Sequence, residues 1–366
     1  PMTTHEETTP VLVGAGQISA REPDTERTPI GLVAEAARAA AADCGVTGVL
    51  GQIQSLTCLN ILAPSYSDAP STLARHLGID PGERFYTPIG GNMGQWLVGY
   101  YADRIAAGGL DCILIAGGEA LATQMRGKGA GLSGVLDTAT GEGPRLLGDD
   151  REPTNSAEQR HGLNLPIQIY PLFEQALRRR YGLDPAEHRR MLGEFYARFN
   201  AVAVDNPRAW RRDPLSAADI AERSPKNRMV GAPYTKHMNA LIAVDQAAAL
   251  VMMSVAKARR LGIDPERWVY PLAAANGHDH WFVSQRADLS RSPAITACGE
   301  RLAAASGLGI DGIDHLDLYS CFPSAVQMAR DALGIAAHDP RPLTVTGGLA
   351  YHGGPGNNYC THAIAE

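Results

Sequence analysis

The chain lacks the features that would place it in or across a membrane. It has no run of about eighteen consecutive apolar residues, the length that a membrane-spanning helix requires. Residues 2–9 are polar and contain no apolar core of the kind that a secretory signal peptide carries. The six cysteines are scattered, with neither a C-x-x-C pair nor a cysteine–histidine cluster at metal-site spacing. We therefore expect no membrane span, no signal peptide, no disulfides and a cytoplasmic location.

The chain also lacks an excess of positive charge and the usual signatures of cofactor binding. Its formal net charge is −6, which gives no electrostatic basis for binding nucleic acid or an anionic membrane. Gly14-Ala15-Gly16 is not followed by the third glycine of a dinucleotide-binding loop. His278 and His280 flank Asp279, but no third metal ligand lies nearby in the sequence. We expect no nicotinamide, no flavin and no metal.

What the chain does contain is an alternation of strand and helix patterns. In the first part, strands are predicted near 11–14, 53–59, 85–89 and 112–116, and helices near 30–44, 71–77 and 94–107. Thr28 and Pro29 form an N-cap and first helical residue ahead of the alanine-rich helix at 30–44. This order predicts an α/β protein with a mostly parallel sheet covered on both faces.

A similar alternation returns in the last third of the chain. Strands are predicted at 247–254, 269–274, 316–322 and 343–346, and helices at 293–305 and 324–333. The glycine turn at 353–358 then opens a final helix, as the similar turn at 88–94 does in the first part. Two such turns at the same place in two arrays indicate an internal duplication. By that symmetry the second array lacks at least one closing strand after its final helix, so we expect the same chain to continue past Glu366 with a further C-terminal domain.

The segment between the two arrays has a different composition. It contains glycines at Gly127, Gly129 and Gly131, and two predicted helices at 167–181 and 185–204. We interpret it as an inserted loop domain. The predicted division is a first half at 10–120, the loop domain at 121–241 and a second half at 242–366.

Five segments together resemble the thiolase superfamily. They are 91–94, the Ala-Gly-Gly-Glu sequence at 116–119, 233–249, 318–322 and 346–355. The resemblance is to the sterol-carrier-protein type of thiolase, and most of all to the mycobacterial thiolase-like proteins of type 1, which are similar to acetyl-CoA acetyltransferases. It implies the thiolase fold, with duplicated βαβαβαββ halves and a loop domain that binds coenzyme A. It also implies a homodimer by default.

The same resemblance shows that the expected catalytic groups are replaced. Thiolases form a thioester on a cysteine at a helix N-terminus, and here that position is Gly91. The histidine that activates the cysteine is replaced by Gly354, and the asparagine or histidine at a strand end is replaced by Tyr319. The second cysteine of the family, in a Cys-x-Gly loop, would lie beyond Glu366. Thiolase activity is therefore expected to be weak or lost.

Three side chains remain as candidate catalytic groups: Tyr319, Cys321 and His352. Cys321 lies at the end of a predicted strand and could pair with His352 just before the second glycine turn. A cysteine at such a position is more often buried in the core than catalytic. A histidine such as His352 is more often a hydrogen-bonded polar group beside a pocket than a general base. Tyr319 either donates a hydrogen bond to a carbonyl or fills the space left by the replaced side chains.

Coenzyme A needs a basic rim for its phosphates and an apolar channel for its pantetheine arm. The resemblance implies that Lys226, Arg228 and Met238 contact this ligand, while the triple arginine at 178–180 is expected to be a solvated helix face.

Three functions stay open at this stage. The first is a thiolase-like protein that binds coenzyme A or acyl-CoA. The second is a retro-aldol lyase, or an altered acyltransferase, that acts on acyl-CoA in lipid or steroid side-chain breakdown together with a partner protein. The third is a non-catalytic acyl-CoA carrier or scaffold. Whether the chain is an enzyme is left undecided by the sequence.

Overall fold

The computed structural model describes residues 4–22, 24–126, 137 and 143–366, so Gly127, Gly129 and Gly131 lie outside the described residues. The described strands are β1 (Pro10–Ser19), β2 (Ser55–Cys58), β3 (Glu83–Tyr86), β4 (Cys112–Ala120), β5 (Arg145–Leu146), β6 (Met229–Gly231), β7 (Tyr234–Thr235) and β8 (Asp245–Ser254). The described helices are α1 (Thr4–Glu7), α2 (Pro29–Asp43), α3 (Ala69–Leu77), α4 (Met93–Ala106), α5 (Leu121–Arg126), α6 (Ser156–Arg160), α7 (Pro166–Tyr181), α8 (Pro185–Asp205), α9 (Ala217–Ala221), α10 (Val255–Leu261), α11 (Pro293–Ser306), α12 (Pro323–Ala332) and α13 (Tyr359–Ala365). None of these described helices combines the length and the apolar composition needed to cross a membrane.

The chain divides into two compact units. Unit 1 contains residues 1–150, 242–274 and 354–366, and unit 2 contains residues 151–241 and 275–353. The strand and helix alternation of the first array lies in unit 1, together with the last helix. The three-domain division predicted from the sequence, with boundaries at 120 and 241, remains a prediction.

Unit 1 is built on a six-stranded sheet with the order β1-β8-β4-β2-β3-β5. The pairings β2–β4, β2–β3 and β3–β5 are parallel, whereas β8 is antiparallel to both of its neighbours. Every residue of β4 and of β8 is buried, as expected for strands covered on both faces. Residues 247–254, predicted as a strand, do form one, but their predicted place in the second array is wrong, because β8 lies between β1 and β4 in this sheet.

Helix α2 packs tightly against β1. Thr28 accepts a hydrogen bond from the backbone N–H of Gly31 at 3.2 Å, so the predicted cap forms. The alanines of α2 permit a close approach, since a Cβ atom at Gly14 or Gly16 would lie 2.2 Å from a carbonyl oxygen of this helix. The two glycines of Gly14-Ala15-Gly16 therefore permit the close packing of β1 on α2.

Unit 2 is mainly helical. Its largest apolar cluster joins α8 and α9 to the segments around 316–326 and 343–351, with Tyr196, Phe199 and Phe322 among its aromatic members. Beside this cluster lies a buried polar network centred on Glu174 in α7. The Glu174 carboxylate contacts His188 Nε2 at 2.8 Å and accepts hydrogen bonds from Tyr234 and Gln327 at 2.9 Å. Helix α11, in contrast, has no buried residue.

Three segments predicted as strands do not form strands among the described residues, and these predictions were wrong. Residues 316–322 and 343–346 are joined by a hydrogen bond from the Leu318 N–H to the Leu343 carbonyl, at 3.0 Å. Residues 269–274 touch β1 only through Val269, which exchanges two hydrogen bonds with Leu12. These segments have the apolar composition of strands. A strand also needs a neighbouring segment that forms backbone hydrogen bonds with it along its length.

Candidate functional site

The first part of the candidate site, in unit 1, is the N-terminus of α4. The helix begins at Met93, directly after Gly90, Gly91 and Asn92. This is the position at which the resemblance places a nucleophile, and the half-buried Gly91 supplies no side chain. The helix still presents its N-terminal amides and the positive end of its dipole there. The electrostatic setting of a thiolate is present, but the thiol is not.

The second glycine turn lies against the first one within unit 1. The side-chain oxygen of Asn357 accepts a hydrogen bond from the Gly90 N–H at 2.8 Å, and its nitrogen donates to the Asn60 carbonyl at 2.9 Å. Asn358 donates to the Gly117 carbonyl at 2.6 Å. The two turns that echo each other in the sequence are therefore joined by amide side chains.

Glu119, the acidic residue of the Ala-Gly-Gly-Glu sequence, is fully buried beside this turn. Its Oε1 accepts a hydrogen bond from the Leu62 N–H at 2.7 Å, whereas Oε2 has no hydrogen-bond partner among the described residues. Burial raises the pKa of this carboxyl to about 8, which its backbone hydrogen bonds only partly offset. A Cβ atom at Gly356 would lie 2.3 Å from Oε1, so only glycine fits there.

Cys360 supplies the thiol next to the vacant nucleophile position. It lies in the first turn of α13, and its Sγ donates a hydrogen bond to the Gly91 carbonyl at 3.1 Å. Cys360 is not among the three candidate catalytic groups predicted from the sequence, although its place directly after the second glycine turn is a signal for it.

Tyr319 and Cys321 belong to unit 2. Both residues keep partial exposure, but the Cys321 sulfur is enclosed and hydrogen-bonded with Tyr170. Burial raises the pKa of the Cys321 thiol to about 11, although the Tyr170 hydrogen bond lowers it slightly. At neutral pH this cysteine is a thiol and a poor nucleophile.

His352 is fully buried in unit 2. Its carbonyl accepts a hydrogen bond from the Trp210 N–H, and its own N–H donates to the Gly348 carbonyl, both at 2.8 Å. These contacts hold the backbone of the segment before the second glycine turn. A histidine without exposed surface fits a structural role better than that of a general base.

The residues predicted to bind coenzyme A lie near the β6–β7 hairpin of unit 2. Lys226 and Arg228 are exposed, and Arg228 donates to the Met229 carbonyl at 3.3 Å. Met238 has no exposed surface and belongs to the apolar cluster of Tyr196 and Phe322. A ligand would reach Met238 only if this cluster opened.

Within the described ranges, no group of three or more histidine, cysteine, aspartate or glutamate side chains is arranged to hold a metal ion. Asp279, between His278 and His280, accepts hydrogen bonds from the Ser292 hydroxyl at 2.7 Å and the Ala294 N–H at 3.0 Å. Its carboxylate therefore caps the start of α11.

Two of the solved structures that share this fold match nearly the whole chain. The first is a monomeric SCP2-thiolase like protein type 1 (STLP1) from Mycobacterium smegmatis, with 35% identity and a TM-score of 0.80 over 98% of this chain and 70% of that chain. The second is an Ltp2-ChsH2(DUF35) aldolase, with 21% identity and a TM-score of 0.73 over 98% of this chain and 90% of that chain. No family model matches the chain, and no curated protein matches it. The predicted α/β thiolase fold is confirmed.

Proposed function

Because the chain belongs to the SCP2-thiolase-like family, as its sequence motifs predicted, we propose that it binds coenzyme A or acyl-CoA without forming a thioester by the usual route. The observation that carries this proposal is the preserved N-terminus of α4. The Asn357 side-chain oxygen accepts a hydrogen bond from the Gly90 N–H at 2.8 Å and so joins the two glycine turns, while Gly91 offers no nucleophile. The scaffold of the reaction is present and its reactive group is absent.

The remaining side chains do not replace the missing chemistry. The Cys321 thiol, with its pKa near 11, is less than one part in a thousand ionised at pH 7 by the usual titration law. His352 is enclosed, and Gly354 stands where the activating histidine would be. Removing a single member of such a constellation typically lowers the rate by about 10³-fold or more. We therefore propose weak or absent acetyl-CoA acetyltransferase activity.

Binding is tested by isothermal titration with coenzyme A. The exposed side chains of Lys226 and Arg228 are proposed to contact phosphate oxygens, as basic side chains commonly do. A Lys226→Met/Arg228→Met variant is expected to bind about tenfold more weakly, on the scale of one or two charged contacts. Arg190→Met is the matched control, since Arg190 is exposed and lies in a surface pair with Glu194. No heat at millimolar coenzyme A would reject the proposal.

Catalysis is tested with acetoacetyl-CoA and coenzyme A as substrates. We expect thiolysis close to the uncatalysed rate, and no change in that rate for Cys321→Ala or Cys360→Ala. Mass spectrometry of the protein after incubation with acyl-CoA checks the same point independently. A stable acyl adduct on either cysteine would show that a thioester does form.

A second candidate function is retro-aldol cleavage of a β-hydroxyacyl-CoA. This reaction removes a proton from the β-hydroxyl group, breaks the Cα–Cβ bond and returns a proton to the resulting acyl-CoA enolate, so it needs no thiolate. The fold likeness to the Ltp2-ChsH2(DUF35) aldolase favours it. The partly exposed phenol of Tyr319 is the proposed proton-transfer group. Release of an aldehyde or ketone, measured with and without an added DUF35 protein, tests this candidate.

A non-catalytic carrier or scaffold, and an acyltransferase with altered chemistry in lipid breakdown, complete the proposals. The carrier is supported if coenzyme A binds and neither substrate turns over. The homodimer remains a prediction, and the STLP1 relative is described as monomeric. Analytical ultracentrifugation of the purified chain distinguishes a monomer from a dimer.

A further inference from the structure

Unit 2 contains two neighbouring cavities at the start of α11. One has a volume of about 500 Å³ and the other about 550 Å³. Both volumes lie within the range of roughly 300–1,000 Å³ that is usual for small-molecule sites. Arg291 and Pro293 line both cavities, so an elongated ligand could extend from one into the other.

The larger cavity contains an indole ring that is fixed in position. Trp281 donates a hydrogen bond from Nε1 to the Glu152 carbonyl at 2.7 Å. The Arg151 guanidinium lies 4.0 Å from the centre of the indole ring, and the His278 ring meets it edge-on at 5.6 Å. A partly buried indole can stack on a planar nucleobase, and the Arg151 guanidinium beside it can attract the phosphate of the same ligand.

The charges around the larger cavity favour an anion. Three arginines line it, namely Arg151, Arg286 and Arg291, against the two aspartates Asp279 and Asp288. Arg286 forms an ion pair with Asp279 at 3.5 Å. The carboxylate of Asp288 accepts two hydrogen bonds from Ser290, at 2.7 and 2.8 Å. Both aspartates are thus committed to local hydrogen bonds.

Arg291 is the most available of these cations. Its guanidinium lies 3.3 Å from the Asp288 carboxylate, with both side chains about half exposed or more. An exposed ion pair of this kind contributes little, so an anionic ligand can take the place of the carboxylate at small cost. Arg180 lines the smaller cavity, where it pairs with Asp331 at 3.3 Å. A chain of phosphate groups would find a second guanidinium there.

We propose that the Trp281 pocket, formed by Arg151, His278, His280, Trp281, Arg286 and Arg291, binds a nucleoside phosphate. The base stacks in the cavity of Trp281, and the phosphate is bound by the forked guanidinium of Arg291 with support from Arg151. The pocket shares no residue with the predicted coenzyme A contacts Lys226, Arg228 and Met238, so the inference does not depend on the proposed function. The nucleotide could be free or could be the nucleotide portion of coenzyme A.

The test is a set of titrations that follow heat and tryptophan fluorescence. The probes are adenosine 3′,5′-bisphosphate, adenosine, inorganic phosphate, pantetheine and coenzyme A. The bisphosphate is expected to bind at least about tenfold more tightly than adenosine or phosphate alone, because stacking and charge act together. Trp281→Leu and Arg291→Met should each weaken the binding about tenfold or more. Arg190→Met is the control, and Trp281→Phe, which keeps a ring, guards against misfolding.

The results separate this inference from the proposed function. If the bisphosphate binds and coenzyme A does not, the pocket is supported and the proposed function fails. If coenzyme A binds equally well to the wild type and to Trp281→Leu and Arg291→Met, and the bisphosphate does not bind, the pocket is overturned while the proposed function stands. Coenzyme A binding that is weakened by the same variants assigns the nucleotide source to coenzyme A.

Discussion

The two compact units solve the burial of polar groups in different ways. Unit 1 satisfies its backbone through the ladders of a six-stranded sheet, and its buried Glu119 is left with one oxygen unpartnered among the described residues. Unit 2 has two extended segments joined by one backbone hydrogen bond, but its buried Glu174 is contacted by three side chains. Backbone pairing in a sheet and networks of side-chain hydrogen bonds can thus each support a core. We expect substitutions in the two units to lower the free energy of unfolding by different amounts.

The largest effect is expected from the network of unit 2. Glu174→Ala leaves the buried Gln327 amide and the His188 ring without this partner, while the Tyr234 hydroxyl keeps Ser324 at 2.8 Å. We expect a loss of about 3–5 kcal/mol in the free energy of unfolding. Urea unfolding of the purified variant measures it. Glu194→Ala, which removes an exposed partner of Arg190, serves as the control and should leave the midpoint unchanged. A loss under about 1 kcal/mol would mean that the network is dispensable.

The next effect depends on pH and concerns the buried acid of unit 1. Since the pKa of Glu119 is raised to about 8 in the folded state, the unfolded chain loses this proton first as pH rises. The wild type therefore loses stability between about pH 5 and pH 8, whereas Glu119→Gln keeps a neutral side chain. We expect the variant to gain about 2–4 kcal/mol over the wild type across this interval. Carboxyl groups whose pKa is lowered on folding affect the wild type and Glu119→Gln equally, so they cancel in the difference between their free energies of unfolding. A difference that does not change with pH would contradict the raised pKa of Glu119.

A smaller effect is expected at the second glycine turn. Gly356→Ala brings a Cβ atom to 2.3 Å from Glu119 and also occupies a left-handed backbone conformation, with φ of 56°. Gly262→Ala has the same conformational penalty, about 1–2 kcal/mol, but nothing within 4 Å. Gly356→Ala should cost about 1–3 kcal/mol more than this control in thermal or urea unfolding. Equal losses would show that the turn can move away from Glu119.

The smallest expected effect is a difference in alkylation rate between a thiol placed in unit 1 and the Cys321 thiol of unit 2. The introduced side chain of Gly91→Cys lies at the N-terminus of α4, where the helix dipole lowers a thiol pKa. Cys321 has a pKa of about 11. Iodoacetamide at pH 7.5 should therefore alkylate position 91 about tenfold faster than Cys321, as read by peptide mass spectrometry. Gly91→Ser is the control for the added volume. Similar rates at both positions would mean that α4 no longer activates a thiol.

Much of unit 1 was predictable because its local signals agree with its tertiary contacts. The cap at Thr28 and the alanine-rich run gave α2 within one residue, and the apolar run after Asp111 gave β4. The position of β8 was not predictable in this way. An apolar run indicates a buried strand but does not say which strands lie beside it. Here it is antiparallel to two neighbours that are distant in sequence.

Unit 2 and the site were less accessible from the sequence. Apolar alternation at 316–322 indicated a strand, but a strand also depends on a neighbour that the local pattern cannot supply. The Trp281 and Arg151 contact joins residues far apart in the chain, and neither has a recognisable motif. The positions of Gly91 and Gly354 could be compared with the family because they lie inside short motifs. The contact of Cys360 with the Gly91 carbonyl could not be predicted in this way, since it depends on the approach of two turns.

Asn357 links the two glycine turns through a side chain that takes no part in covalent chemistry. The shape of this region is therefore maintained by side chains such as Asn357, Asn358 and Cys360, with no side chain at Gly91. Mutation could remove a nucleophile from such a protein without loosening the turns that once served it. A gene of this kind can drift from a catalyst towards a receptor for the same class of molecule, with its architecture almost unchanged.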